Sequence, residues 1–246
     1  MSDNLYIKSV MMKNKDFSKE EKYLSKIKII NNLSKINFNK PVTFFVGENG
    51  IGKSTLLEAI AVAYGFNAEG GSKNFNFNSK ETHSSLYKYL TIVKNVKRPK
   101  DGFFLRSESF YNLATEIERL DEIFPLFSAY GEKSLHDQSH GEGIMSIILN
   151  RFNGNGIYIL DEPEAALSPS KICSLIVRID QLVKNDSQFI IATHSPLLIA
   201  YPNSEVFVLN ENEIKLTPFE ETEHYNLTKY FINNPNSMIK RLLEKI

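Results

Sequence analysis

A nine-residue run constrains this chain more than any other feature, and it reads Gly47-Glu48-Asn49-Gly50-Ile51-Gly52-Lys53-Ser54-Thr55. The run fits the pattern G-x-x-x-x-G-K-[ST]. An apolar segment typical of a β-strand precedes it, and a segment with the composition of a buried helix follows it. Glycines allow the backbone N–H groups of such a loop to face phosphate oxygens, and the helix N-terminus adds partial positive charge. The run therefore predicts a strand–loop–helix unit that cradles phosphates.

The residues of this loop have separate expected roles. Lys53 is expected to bridge the β- and γ-phosphates of a nucleotide as a catalytic residue, and Ser54 is expected to ligate Mg²⁺. The remaining positions are expected to bind phosphate oxygens: Gly47, Glu48, Asn49, Gly50, Ile51, Gly52 and Thr55. The alternative is a glycine-rich turn with a chance lysine, which the flanking strand and helix argue against.

A second apolar strand, residues 157–160, ends in the adjacent carboxylates Asp161 and Glu162. Open α/β sheets bind ligands at the carboxyl ends of their strands. Asp161 can hold Mg²⁺ there, and Glu162 can polarise the water that attacks a γ-phosphate. The alternative is a solvated acidic pair that caps the following helix.

A third apolar strand, residues 189–193, leads into His194. Consecutive parallel strands often lie side by side, so His194 is expected at the same sheet edge, where it can hydrogen-bond a γ-phosphate. A lone histidine at a strand end is more often an ordinary loop residue. The loop and the acidic pair nearby favour the catalytic role.

Near-continuous apolar strands that alternate with helices predict an α/β fold with a mostly parallel sheet covered on both faces. Several further elements are predicted: a helix over 84–96, a strand over 102–106, a helix beginning near residue 109, a closing hairpin within 205–219, and two short C-terminal helices. Cys173 lies among apolar residues at helical spacing, which favours a buried structural thiol over a reactive one.

Composition limits the possible partners. The 29 basic and 29 acidic residues give a formal net charge of zero, which removes the strongest electrostatic argument for nucleic-acid binding without excluding it. One local basic cluster, 94–100, is interpreted as a solvated turn or, alternatively, a contact to phosphates or a partner. No apolar run is long enough to span a membrane, and the first residues lack a signal-peptide core. A cytoplasmic protein with no direct membrane insertion is expected.

Four segments in order resemble the ATP-binding-cassette (ABC-type) ATPases: GENGIGKST, then QSHGEG at 138–143, then ILDEPEAALSP and IIATHSP. Within this superfamily, these segments are most similar to those of the soluble branch that contains the chromosome-maintenance and recombination ATPases. They are also similar to those of small stand-alone bacterial AAA family ATPases. The resemblance implies an ATP-dependent homodimer in which Ser139 and Gly141 contact the γ-phosphate of the partner's ATP. It also implies that 165–168 crosses the dimer interface and that His194 is the switch histidine.

The chain departs from this family pattern at two places. His140 stands where the usual signature has a glycine, and its effect on phosphate approach is left open. No glutamine occurs between Lys53 and Gln138, although the family uses one near Mg²⁺. Arg106 or Glu108 is the candidate replacement, and Arg106 is equally expected to pair with a carboxylate of the arm.

The sequence therefore predicts one ABC-type P-loop domain with a helical arm inserted over about 66–151. Its expected activity is Mg²⁺-dependent ATP binding and hydrolysis with ATP-driven dimerisation, coupled to an unidentified protein partner. A role in DNA maintenance or defence is favoured. The alternatives are the ATP-binding subunit of a transporter and a nucleotide-gated interaction module with slow turnover.

Overall fold

Two sheets organise the computed structural model, which describes residues 5–73, 83–122, 129–131 and 133–244. The strands in this described part are β1 (Ile7–Met12), β2 (Lys35–Asn37), β3 (Val42–Val46), β4 (Leu90–Lys94), β5 (Asp101–Arg106), β6 (Gly156–Asp161), β7 (Gln188–Ala192), β8 (Ser204–Leu209) and β9 (Ile214–Leu216). The 6-stranded central sheet has the order β5-β6-β7-β3-β8-β9. All its strands run parallel except β9, which pairs antiparallel with β8. The predicted α/β fold with a mostly parallel sheet is confirmed.

The smaller sheet is antiparallel, with the order β2-β1-β4. A buried glutamine, Gln188 at the start of β7, joins it to the central sheet. Its side-chain oxygen accepts hydrogen bonds from the backbone N–H groups of Tyr6 and Ile7 at 2.8 and 2.9 Å, and its side-chain nitrogen donates to the Ile7 carbonyl at 3.0 Å. Every polar group of this buried amide side chain thus has a partner, as burial requires.

The helices of the described part are α1 (Lys28–Asn32), α2 (Lys53–Tyr64), α3 (Phe110–Asp121), α4 (His140–Ser146), α5 (Pro169–Lys184), α6 (Pro196–Ile199), α7 (Glu223–Asn233) and α8 (Pro235–Leu243). A π-helical turn, Ile147–Arg151, continues α4. Short 3-10 turns occupy Lys22–Lys26, Ser85–Tyr89 and Phe219–Glu221. Local sequence explains where α5 begins. The Ser168 hydroxyl caps its first turn by accepting a hydrogen bond from the Lys171 N–H, and a proline follows at the first helical position.

The strands bury side chains on both faces of the central sheet. Phe44 and Leu160 belong to the core that also takes in α3, α4, α5 and α6. Phe45 and Ile159 belong to the core on the other side, with α2 and the small sheet. Alternate residues of one strand therefore face opposite layers, which explains why these strands read as unbroken apolar runs.

Three expectations need correction or completion. The predicted helix over 84–96 is wrong: a 3-10 turn and strand β4 occupy it, because its β-branched residues pair with β1. Cys173 is exposed, since α5 buries the stripe Ile172, Leu175, Ile179 and Leu182 and leaves position 173 off that face. The interval 66–151 contains β4 and β5 as well as helices, and the part of its glycine- and asparagine-rich loop at 74–80 lies outside the described residues.

Among the residues that the structure describes, none of the helices combines the length and apolarity needed to cross a bilayer.

Candidate functional site

The glycine-rich loop lies between β3 and α2, as predicted, and Lys53 is its most constrained side chain. Lys53 is 4% exposed, and its ammonium donates to the carbonyls of Gly47 at 2.9 Å and Glu48 at 3.0 Å. Burial lowers the pKa of Lys53, while the carboxylates of Glu162, Asp161 and Glu164 oppose that shift. Lys53 is thus a desolvated cation beside three acidic groups, in the position to bind the phosphates of a nucleotide.

The backbone of the loop explains one of its glycines. Gly52 has a φ of +111°, in the left-handed region that side chains disfavour, and a Cβ there would lie 2.6 Å from Ile29. By contrast, a Cβ built on Gly50 would meet nothing within 4 Å. The loop is therefore packed against the molecule on one side and open on the other, which leaves room for a ligand along it.

Asp161 and Ser54 bring two oxygen atoms together at the carboxyl end of β6. Asp161 is 5% exposed, and the Ser54 hydroxyl donates to its Oδ1 at 3.0 Å. Burial raises the pKa of Asp161 to about 6, against the opposing effects of Arg106 and the Ser54 hydrogen bond. A buried carboxylate beside a hydroxyl fits Mg²⁺, which prefers oxygen ligands and takes few of them from the protein.

Glu162 follows directly and is held by its backbone. Its N–H donates to the Ala192 carbonyl at 2.9 Å, and its own carbonyl accepts from the Ser107 hydroxyl at 2.7 Å. Its φ is +49°, a left-handed value that is uncommon outside glycine and that often accompanies a functional constraint. The clamped backbone presents a half-exposed carboxylate beside the buried Asp161.

His194 reaches the same edge from the end of β7. Its Nε2 lies 3.5 Å from Glu162 Oε1, and its backbone N–H donates to Glu164 Oε1 at 2.7 Å. Burial lowers the pKa of His194, with a further contribution from the Lys53 charge. Within the described part of the chain, the buried Nε2 has no hydrogen-bond partner. It is therefore a neutral ring with a polar atom available to a ligand.

Arg106, one of the two candidates for the missing glutamine, is the last residue of β5. Its guanidinium pairs with Glu58 at 2.7 Å and with the exposed Glu108 at 3.2 Å, and its Nε lies 3.8 Å from Asp161 Oδ2. That Nε is also buried without a hydrogen bond to any described residue. Of the two candidates, Arg106 is thus the one beside Asp161, and it pairs with carboxylates as well.

The signature segment forms the start of α4. Ser139 is exposed and caps α4 through a reciprocal exchange with Glu142, in which the Ser139 N–H donates to the carboxylate at 3.0 Å and the Glu142 N–H donates to the hydroxyl at 3.4 Å. The His140 ring stacks on Phe110, with 4.8 Å between ring centroids. A Cβ on Gly141 would lie 2.2 Å from the Ala166 carbonyl oxygen. Gly141 therefore allows α4 to pack directly on the turn at 165–168.

The predicted residues thus form two groups. Lys53, Ser54, Asp161, Glu162 and His194 meet at one sheet edge. Ser139 and Gly141 form the second group at the start of α4, which packs on the turn at 165–168, and the Ser139 hydroxyl exchanges hydrogen bonds with Glu142.

Two neighbours of His194 were not predicted. Glu164 accepts from the Thr193 hydroxyl at 2.6 Å and from the His194 N–H, and burial raises its pKa. It is the third acid of the Asp161 run, so its spacing could have identified it. His224, whose Nε2 lies 3.4 Å from His194 Nδ1, begins a C-terminal helix with no motif around it. Only the folded chain brings it here.

Comparisons with known proteins identify a matching family model and relatives named as ABC transporter proteins. A family model described as AAA domain matches residues 23–245. A putative ABC transporter ATP-binding protein of Pyrococcus furiosus is 26% identical over 228 residues, which are 84% of this chain and 84% of that protein. ABC transporter G family member STR2 of Medicago truncatula is 27% identical over 172 residues, and the match covers 63% of this chain but only 24% of that protein.

One solved structure extends the likeness to the fold. It is described as an inward-facing conformation of a putative metal-chelate type ABC transporter, and its TM-score with this chain is 0.50 at 14% identity, over 92% of this chain and 89% of that one. At this level of identity the likeness concerns the fold alone.

Proposed function

This chain belongs to the AAA domain family and is an ABC-type P-loop ATPase that binds ATP with Mg²⁺ and hydrolyses it to ADP and phosphate; on that premise we propose that it acts as an ATP-driven homodimer coupled to a protein partner. The proposal goes beyond the ATPase activity in two respects. It gives the signature residues a nucleotide to contact, and it assigns the mechanical output to association between two copies.

The chemistry within one copy follows from the five residues at the sheet edge. Lys53 contributes a buried positive charge toward the phosphates, and Ser54 and Asp161 would hold Mg²⁺, which when bound offsets phosphate charge. Glu162 is the group that can accept a proton from the attacking water. His194 offers Nε2 as a hydrogen-bond donor to the γ-phosphate. Arg106 adds a second unpartnered donor on the Asp161 side.

The observation that carries the dimer is the exposure of the signature serine. Among the described residues, the Ser139 hydroxyl exchanges hydrogen bonds with Glu142 and with none of Lys53, Asp161 and His194. Gly141 ties this exposed surface to the turn at 165–168. A two-fold pairing of copies would apply the same contact twice and complete two sites at once. ATP would favour the dimer by binding across it, and hydrolysis would release it.

Subunit complementation tests this arrangement. Lys53→Ala removes the phosphate lysine, and Ser139→Arg blocks the signature surface, so either variant alone is expected to show almost no ATP turnover. In a mixed dimer, one of the two sites combines an intact loop with an intact signature. An equal mixture is therefore expected to recover turnover, up to about a quarter of the wild-type rate for random pairing of independent sites.

The matched control is a mixture of Lys53→Ala with the double variant Lys53→Ala/Ser139→Arg, in which every loop is defective. That mixture should stay inactive. If Ser139→Arg alone keeps wild-type turnover, the signature does not act on nucleotide and the shared-site proposal is refuted.

Two kinds of partner are considered for the proposed ATPase: a transporter and DNA. A role in a transporter is supported by the names of the two relatives described above. The DNA role favoured by sequence remains a prediction, and the basic cluster gives it weak support. Lys97 pairs with Asp186 at 3.2 Å, and Lys94 lies 4.4 Å above the centre of the Tyr64 ring, so both cations contact the protein itself.

Two measurements separate these partners. ATP turnover with and without double-stranded DNA tests the DNA role, and an increase of about tenfold or more would support it. The transporter role is tested by capturing proteins on tagged Glu162→Gln in Mg-ATP and identifying them by mass spectrometry. Membrane proteins that are captured with ATP and absent with ADP would support the transporter role.

A further inference from the structure

His224 links the C-terminal helices to the nucleotide site. It lies in the first turn of α7, whose N-cap, Thr222, is 1% exposed and fixed in two ways. The Thr222 hydroxyl donates to the Phe219 carbonyl at 2.6 Å and accepts from the Tyr225 N–H at 3.4 Å. The start of α7 is thus held in place, although the remainder of α7 and α8 buries no residue. The end of α7 that is anchored is the end that carries His224.

The contact between the two histidines is specific to one atom on each ring. His224 Nε2 lies 3.4 Å from His194 Nδ1, and the ring centroids are 5.5 Å apart with 50° between their planes. A ring stack would bring the planes near parallel. The tilted arrangement instead points one nitrogen of each ring at the other, which is the geometry of a hydrogen bond between imidazoles.

The surroundings of His194 decide which nitrogen carries the hydrogen. Its Nε2 is buried and 3.5 Å from the Glu162 carboxylate. A lone pair on Nε2 would face that negative oxygen, so the hydrogen belongs on Nε2. A neutral imidazole carries a single N–H, so Nδ1 is the acceptor. The donor across the 3.4 Å gap is therefore the Nε2–H of His224.

Burial supports the neutral form of both rings. It lowers the pKa of His194 and of His224, and the Lys53 charge lowers both further, while Glu162 and Glu223 act in the opposite direction on His194 and His224 respectively. Two neutral imidazoles can share one hydrogen between facing nitrogens, whereas two imidazolium rings cannot.

Different residues hold the backbone and the ring of His194. Glu164 accepts from the His194 backbone N–H at 2.7 Å and from the adjacent Thr193 hydroxyl at 2.6 Å, so it fixes where β7 ends. It makes no hydrogen bond to the imidazole. Among the described residues, His224 supplies the hydrogen bond to the ring itself. Partners of this kind set the tautomer and rotation of a functional histidine.

We propose that His224 is a positioning residue for ATP hydrolysis, whose ring N–H fixes the tautomer and rotation of His194 so that Nε2–H faces Glu162 and the γ-phosphate. The inference rests on the role proposed above for His194. It assigns a task in the ATPase site to the C-terminal helices, which no motif in the sequence connects to nucleotide.

Two replacements at position 224 separate the hydrogen bond from the space that the ring fills. His224→Phe keeps the ring volume and removes the donor, and His224→Gln keeps an N–H donor at similar reach. We expect His224→Phe to lower kcat by about tenfold with little change in ATP affinity, and His224→Gln to stay within about threefold of wild type. A structural role alone would not distinguish the two variants in this order.

A double-variant cycle tests whether His224 acts through His194. In the His194→Ala background, adding His224→Phe should cause no further loss of kcat. A further loss of about tenfold would mean that His224 acts independently, and an unchanged kcat for His224→Phe in the wild-type background would mean that the contact has no role in turnover. Either result overturns the inference.

A spectroscopic measurement tests the proposal without relying on turnover or on a variant at position 224. In protein labelled with ¹⁵N only at its five histidines, with the His194 signals assigned by their absence in His194→Ala, long-range couplings identify the protonated nitrogen. The expected result is protonated Nε2 and unprotonated Nδ1 in wild type. Protonated Nδ1 would overturn the inference while leaving the ATPase untouched, whereas wild-type protein without ATP turnover would instead refute the function on which it rests.

Discussion

Asp161 makes the stability of the folded protein depend on pH. Its pKa is raised to about 6 in the folded protein, mainly by burial, from an ordinary value of 3.8. The ionised carboxylate therefore costs the folded state about 3 kcal/mol, since each pH unit between the two pKa values is worth about 1.4 kcal/mol. Because the folded pKa is the higher one, this cost is absent below about pH 4, grows between about pH 4 and 6, and is complete above about pH 6.

Asp161→Asn should remove that cost while keeping the hydrogen bond from Ser54. We expect the variant to be more stable than wild type by about 2–3 kcal/mol near pH 8, and by little near pH 4, in urea unfolding without nucleotide or Mg²⁺. Subtracting the two proteins at each pH cancels the titration of other carboxylates. A stability difference that does not change with pH would contradict the assigned burial effect.

The residues of the site differ in how far the sequence alone identifies them. Lys53, Ser54 and Asp161 could be identified because their motif fixes both residue type and spacing along the chain. Arg106 was one of two candidates, and only the pairing of β5 with β6, which aligns Arg106 with Asp161, separates it from Glu108. His224 lies 30 residues from His194 in a helix without a motif, so its role depends on packing that no local pattern records.

At the scale of elements, the contact between α4 and the turn at 165–168 matters most. Gly141 lets the start of α4 approach the Ala166 carbonyl, and a Cβ at 2.2 Å from that oxygen cannot be accommodated without a shift. Gly141→Ala should therefore displace the signature from the turn, at a cost of about 1–3 kcal/mol in stability. We expect ATP turnover to fall about tenfold or more, because positioning errors near 1 Å have large effects on rate.

The same variant should leave ATP binding to a single copy unchanged, because the substitution lies in α4 and leaves the glycine-rich loop and Lys53 intact. Equilibrium binding of a fluorescent ATP analogue measures this. Leu149→Ala, at an exposed position of the same helical run, is the matched control and should retain turnover. Full activity in Gly141→Ala would contradict the role given to this contact.

Elements were predictable where the local pattern and the tertiary structure agree. The strands β3, β6 and β7 are continuous apolar runs, and each is buried on both faces of the sheet. The segment that became β4 misled prediction because its leucines suit a helix, while its conformation is set by pairing with β1, a strand about 80 residues earlier in the chain. Long-range pairing of an edge strand leaves little trace in a short window of sequence.

For the whole molecule, the proposed function requires that the signature of one copy contact the nucleotide of another. Lys53, Ser54, Asp161, Glu162 and His194 meet at the edge of the central sheet, and the exposed Ser139 caps α4, whose start packs on the turn at 165–168. The balanced net charge of the chain favours association of two identical copies in one respect, since no large like charge opposes it. In the proposed function, ATP that binds between two copies drives their association.

The most direct test of this account is the mass of Glu162→Gln in solution. The substitution leaves Lys53, Ser54 and Asp161 in place to bind Mg-ATP and removes the carboxylate that accepts the proton from water, so the ATP-bound state should persist. Light scattering coupled to size-exclusion chromatography should give twice the 28.1 kDa mass of the chain with Mg-ATP, and a single copy with Mg-ADP or with Lys53→Ala/Glu162→Gln. A monomer in saturating Mg-ATP, with binding demonstrated in the same sample, would contradict the central claim.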